Sequence, residues 1–168
     1  MMSAMSVLIA YATHSGATET LAERMRETLA AAGITAEKIS VDDNPDPSRF
    51  DAAIIGSGIR VEAVEKTFVT WVKEHSAALA DRPVAFFTCS GSASDPRKEG
   101  RQNGAESFLR DAAFTPVATR NFPGWVIMDR IPMHERVLLK SMRTPTGDFR
   151  DLDAVAAWTR EIAPQLTA

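Results

Sequence analysis

The chain has 168 residues, 45% hydrophobic and 24% charged, a globular composition expected to form a single domain over residues 1–168 with a core that needs no disulfides. These figures exclude a disordered tail or a fibrous repeat, and a net charge of −3 argues against a general nucleic-acid-binding surface. The single cysteine, Cys89, cannot pair within the chain, and no Cys/His spacing suits a metal. The apolar run Val7–Ala12 is too short for a signal peptide or a membrane span, so a reducing, cytoplasmic setting is expected.

Met5–Tyr11 is a nearly continuous apolar run of strand length. After it, Leu21, Met25, Leu29 and Ala32 fall at helical spacing, and Gly33 reads as the stop. Thr35–Val41 is a half-polar strand, as at a sheet edge, and Asp42–Pro47 is a polar turn. Asp51–Gly56 predicts a second buried strand. Lys66–Leu79 predicts a helix with Phe68, Val72, His75 and Leu79 inward. Pro83–Cys89 is a third buried strand, followed by a polar loop over Ser90–Asn103. Gly104–Ala113 reads as a short helix with Phe108 and Leu109 inward, and Pro116–Asn121 as a fifth strand. Asp151–Ile162 is the last helix, with Pro164 ending it.

Strands alternating with helices predict βαβ units, a parallel sheet and right-handed crossovers. Five strands fit an α/β doubly wound sheet of order 2-1-3-4-5 with helices on both faces. In that order the ligand crevice lies beyond the carboxyl ends of the first, third and fourth strands. Three loops fall there: Ala12–Thr18, Ser57–Ala63 and Ser90–Asp95.

The first loop, Thr13-His14-Ser15-Gly16-Ala17-Thr18, joins a buried strand to a helix whose free amides and positive dipole end suit an anion. It has no lysine and is not a triphosphate loop, so a phosphate monoester held by hydroxyls and amides fits better. The plainer reading is an ordinary Ser/Thr helix cap. In the second loop, Gly56 and Gly58 permit close backbone approach to a flat ligand, and Arg60 can face an anionic ring or a substrate carboxylate. The third loop, Cys89 to Asp95, is small and polar and can offer amides to a ring edge. Cys89 is either a nucleophile or a buried, inert thiol. The elbow signature is missing, since Phe87 stands where its first glycine would be.

Strand, T-x-S-G-x-T, then helix resembles the phosphate loop of flavodoxins. Ile54 to Arg60, and the tail Thr144 to Asp153 leading to Trp158–Ile162, resemble the menaquinone-dependent protoporphyrinogen IX dehydrogenase branch of the flavodoxin-like family. The resemblance covers Val7 to Ile162 and implies a flavodoxin-like fold, non-covalent FMN, a porphyrinogen substrate and a quinone acceptor. It maps Thr13, Ser15, Gly16 and Thr18 to the phosphate seat, with His14 and Ala17 supplying backbone. Ser57, Gly58, Ile59 and Arg60 map to the first ring loop, and Ser90, Gly91 and Ser92 to the second. Arg60 is the candidate catalytic residue. Neither ring loop carries Trp or Tyr, so aliphatic cover from Ile59 or Val61 is expected.

An extra segment, about residues 124–147, precedes the last helix. Trp125–Arg143 holds four basic and two acidic residues. From Pro132 onward Arg136, Lys140 and Arg143 form a basic stripe, while Ile131, Leu138, Leu139 and Met142 occupy another arc. The segment suits peripheral contact with a membrane or quinone, a porphyrin-sized pocket, or plain packing over the sheet edge. Two rival functions remain open: a soluble electron carrier that docks to redox partner proteins, and a flavin-free Cys89 hydrolase or amidotransferase-like domain.

Overall fold

The computed structural model describes residues 5–60, 63–91, 103–126, 133–141 and 147–167. Strand β1 (Ser6–Ala12) leads to helix α1 (Ala17–Ala31), edge strand β2 (Thr35–Ser40), β3 (Ala52–Arg60) and a short β4 (Ala63–Val64). Helices α2 (Lys66–Glu74) and α3 (Ser76–Ala80) precede β5 (Val84–Ser90), α4 (Asn103–Asp111) and β6 (Ala118–Pro123). The chain then forms β7 (Trp125–Val126), α5 (Met133–Ser141), β8 (Gly147–Asp148) and α6 (Leu152–Thr167).

The sheet runs β2-β1-β3-β5-β6, and its five main strands pair in parallel. Setting the small β4 aside, this is the 2-1-3-4-5 order that the alternation of elements predicts. β1, β3 and β5 are central and buried on both faces, which is why they read as unbroken apolar runs. One core lies between the sheet and helices α1 and α6, where Leu21, Met25 and Leu29 meet Val155, Trp158 and Ile162. The other lies under α2, α3 and α4. There Phe68 and Phe86 enclose the Phe108 ring at centroid distances of 5.2 and 5.1 Å, so Phe108 points inward as its spacing predicts.

Four local expectations change. The helix over 66–79 breaks at His75. Its ring is half-buried and faces the Asn44 side-chain oxygen at 2.8 Å, so His75 is a junction residue and not a core histidine. The last helix does not stop at Pro164. Proline costs one backbone hydrogen bond, but the turn continues because Leu166 beyond it is fully buried. The fifth main strand sits two residues later than expected, at Ala118–Pro123.

β3 also does not turn at Ser57. It continues to Arg60, paired on one side with β5 through Gly58↔Cys89 and doubling back on β4 through Ile59↔Val64. Gly56 is therefore a packing glycine: a Cβ there would overlap the Phe87 ring. Within the extra segment, β7 and β8 form an antiparallel ribbon, tied down where the Phe149 amide donates to the Gly124 carbonyl at 3.0 Å. Residues 92–102, Ser92 among them, lie outside the described residues, as do Val61, Arg130, Ile131, Met142 and Arg143 and the side chains of Leu138, Leu139 and Lys140.

Candidate cofactor site

The first loop leaves β1 at Ala12 and enters α1 at Gly16, which adopts a left-handed conformation with φ 96°. Among the described residues no side chain caps the first turn of α1. The Thr13 hydroxyl instead accepts the Gly16 amide at 2.9 Å and closes the loop on itself. An ordinary Ser/Thr cap would spend a hydroxyl on the second or third helical amide. Here those amides keep no capping side chain, at the positive end of a 15-residue helix. Thr13 and Ser15 are half-buried around this turn. Thr18 is buried, and its hydroxyl bonds the Cys89 sulfur. A Cβ on Gly58 would stand 3.1 Å from that hydroxyl, so the second loop lies close against the first.

Trp125 of β7 covers this turn from outside. Its indole N–H donates to the Ser15 carbonyl at 2.9 Å, and its ring would touch a Cβ on Gly16 at 3.2 Å. The Arg150 guanidinium lies 4.4 Å from the indole centroid. Arg150 is itself gripped by Asp148, through Nε at 2.8 Å and Nη2 at 2.6 Å. These bonds hold the Asp148 carboxyl down at about 2. The tryptophan that the second and third loops lack thus arrives from the extra segment, and it packs on the turn between β1 and α1.

The second loop contributes unevenly. The Ser57 hydroxyl donates to the Gly58 carbonyl and accepts the Glu65 amide at 2.9 Å, so it is committed to the start of α2. Ile59 is half-buried. Arg60 reaches outward and donates through Nη1 to Glu135 Oε1 at 2.8 Å. In the third loop, Ser90 is buried and its hydroxyl bonds the Asn121 side-chain oxygen, while Gly91 is exposed. Cys89 is buried, and burial pushes its thiol up to about 12, the Thr18 hydroxyl and the Arg150 charge notwithstanding. A thiol so held is not a nucleophile near neutral pH.

Glu135 of α5 is the residue that motif reading does not find. Its other carboxylate oxygen accepts from His14 Nε2 at 2.6 Å, so it joins the first loop to the end of β3. Burial pushes its carboxyl up, but the bonds from His14 and Arg60 outweigh this and hold it below the usual range. It stands 121 residues from His14 and 75 from Arg60, and no short-range pattern carries that information.

A parallel 2-1-3-4-5 sheet with a turn after its first strand that no side chain caps defines a flavodoxin-type fold. The chain belongs to the Flavodoxin domain family, whose model matches residues 8–153. It is 27% identical over 172 residues to "Protoporphyrinogen IX dehydrogenase [quinone]" of Escherichia coli (strain K12), covering 95% of each chain. Among solved structures, an archaeal flavodoxin superposes with a TM-score of 0.63 at 15% identity, covering 98% of this chain and all of the other. A Fusobacterium nucleatum flavodoxin mutant bound to flavin mononucleotide gives 0.52 at 16% identity, covering 76% and 74%. Family and fold together support a flavin as the cofactor.

Proposed function

We propose that the chain is an FMN-dependent oxidoreductase that takes electrons from a porphyrinogen and delivers them to a quinone. The observation that carries the reading is the α1 N-terminus. Its first-turn amides lack a side-chain cap, and Thr13, Ser15 and Gly16 make up the turn that leads into them. A dianionic phosphate is the natural partner of such a turn.

In this reading the first-turn amides of α1 and the hydroxyls of Thr13 and Ser15 hold the phosphate, with Thr18 supplying its amide. The backbone of Gly58, Ile59, Ser90 and Gly91 lines the ring, Ile59 giving aliphatic cover. Bound FMN would supply a two-electron acceptor at its ring edge. Arg60 holds a carboxylate of the substrate against that edge. Similarity to a quinone-linked dehydrogenase over 95% of the chain supports the donor and acceptor classes. Met133 and Val137, one turn apart on α5, are 69% and 64% exposed and give an apolar face for meeting a membrane-resident quinone. Among the described residues no helix is long and apolar enough to cross a membrane.

Anaerobic turnover of protoporphyrinogen IX with a menaquinone analogue tests the chemistry, and flavin retention tests the seat. Wild-type protein should stay yellow through dialysis and oxidise the porphyrinogen. Thr13→Ala/Ser15→Ala should lose both properties. Yellow colour kept by the double variant would overturn the seat. A yellow wild type that only shuttles electrons from a reductase would overturn the dehydrogenase reading and leave an electron carrier.

A further inference from the structure

We propose that His14 and Arg60 form a carboxylate subsite at the mouth of the flavin site, which Glu135 occupies in this structure and vacates for a carboxylate of the substrate. The subsite rests on the porphyrinogen reading and deepens it by giving the substrate's acid groups a place.

His14 Nε2 and Arg60 Nη1 come from the first loop and the end of β3, yet they converge on the two oxygens of one carboxylate, at 2.6 and 2.8 Å. One N–H per oxygen, from a planar guanidinium and an imidazole, is a recognition geometry for any carboxylate. The Glu135 side chain is only 15% exposed, whereas those of His14 and Arg60 are 28% and 44% exposed. The two donors therefore remain reachable from solvent while the carboxylate between them is covered. Glu135 is carried by α5, which leaves the side chains of Met133 and Val137 to solvent. His134 adds a third nitrogen 3.8 Å from Glu135 Oε1. An incoming carboxylate can thus take over both donors as α5 swings outward. The exchange replaces one carboxylate by another on the same donors, so it asks for little net energy.

The test uses FMN-loaded protein with two probes: mesoporphyrin, a dicarboxylate already at the porphyrin oxidation level, and its dimethyl ester, which keeps the ring and loses the charges. Glu135→Gln removes the competing charge and should tighten the diacid about tenfold, ~1.4 kcal/mol, with the ester unmoved. Adding Arg60→Ala should weaken the diacid about tenfold from there, again sparing the ester. Hydrogen exchange over residues 133–141 should rise when the diacid binds wild type. Glu135→Ala repeats the first arm should the glutamine variant misfold. Diacid affinity unchanged or weakened in both Glu135 variants, or diacid and ester shifting together, would overturn the subsite and leave the flavin reading standing. Failure of both probes to bind any yellow variant would overturn the porphyrin reading and the subsite with it.

Discussion

The indole N–H of Trp125 bonds the carbonyl of Ser15 across 110 residues of chain. A residue of the extra segment thereby fixes the backbone of the turn proposed to receive the phosphate. Trp125→Phe keeps most of the ring over Gly16 and removes one hydrogen bond, a change of ~1 kcal/mol. FMN affinity should fall about fivefold. Trp125→Ala also strips the packing surface and the partner of Arg150, and should weaken FMN by more than tenfold. Fluorescence titration of the apoprotein with FMN gives both numbers; equal affinities in all three proteins would remove Trp125 from the site.

Gly56 and Phe87 pack in direct contact across the central sheet. Gly56→Ala drives a methyl into the ring, and neither strand can retreat because both are paired on two sides. Overpacking of this kind costs ~1–3 kcal/mol. Urea unfolding should show that loss, and Gly56→Ala in a Phe87→Leu background should lose less than in wild type. A midpoint unchanged by Gly56→Ala would mean that the sheet yields locally.

Most of the frame is legible in the sequence because parallel central strands are apolar on both faces and their helices are amphipathic. β1, β3 and β5 stand out from composition alone. The candidate phosphate turn is legible because every part of it lies within six consecutive residues, Thr13 to Thr18. Gly56 misleads, since a glycine that makes room for an aromatic ring on the next strand looks the same as one that makes room for a ligand. The commitment of the Ser57 hydroxyl to the Glu65 amide, eight residues on, is likewise not legible in the loop's own sequence. Pro164 misleads because burial of Leu166 outweighs a lost hydrogen bond. Trp125 and Glu135 act on the site only through tertiary folding, and the sequence shows them merely as parts of an apolar, basic stretch.

The Cys89 thiol provides a pH signature. Its pKa is raised from 9.0 to about 12 in the folded chain, so the native state keeps a proton that the unfolded state releases. The neutral thiol's contribution is complete below pH ~9 and is lost as pH rises from there toward 12, by up to ~1.4 kcal/mol per pH unit. Chemical denaturation at pH ~8 and pH ~10.5, on either side of the ordinary thiol range, should show a steeper alkaline loss for wild type than for Cys89→Ala. Iodoacetamide should leave the native thiol unmodified at the lower pH and label it once the chain is unfolded. Rapid labelling of the native protein there would contradict the burial.

Met133 and Val137 set the last expectation. They sit at i and i+4 on α5, exposed on one face, in a stretch whose four basic residues outnumber its two acidic ones. Burying an aliphatic side chain in an apolar phase is worth ~1.5–3 kcal/mol, and neighbouring cations add attraction to an anionic surface. Wild-type protein should co-sediment with vesicles containing anionic lipid at low salt and less with neutral ones. Met133→Asp/Val137→Asp should lower the bound fraction at least tenfold, with the folded baseline of the circular dichroism spectrum unchanged. Vesicle binding that survives the double substitution would show that this face of α5 does not meet the lipid, and equal binding to neutral and anionic vesicles would remove the basic residues from the contact.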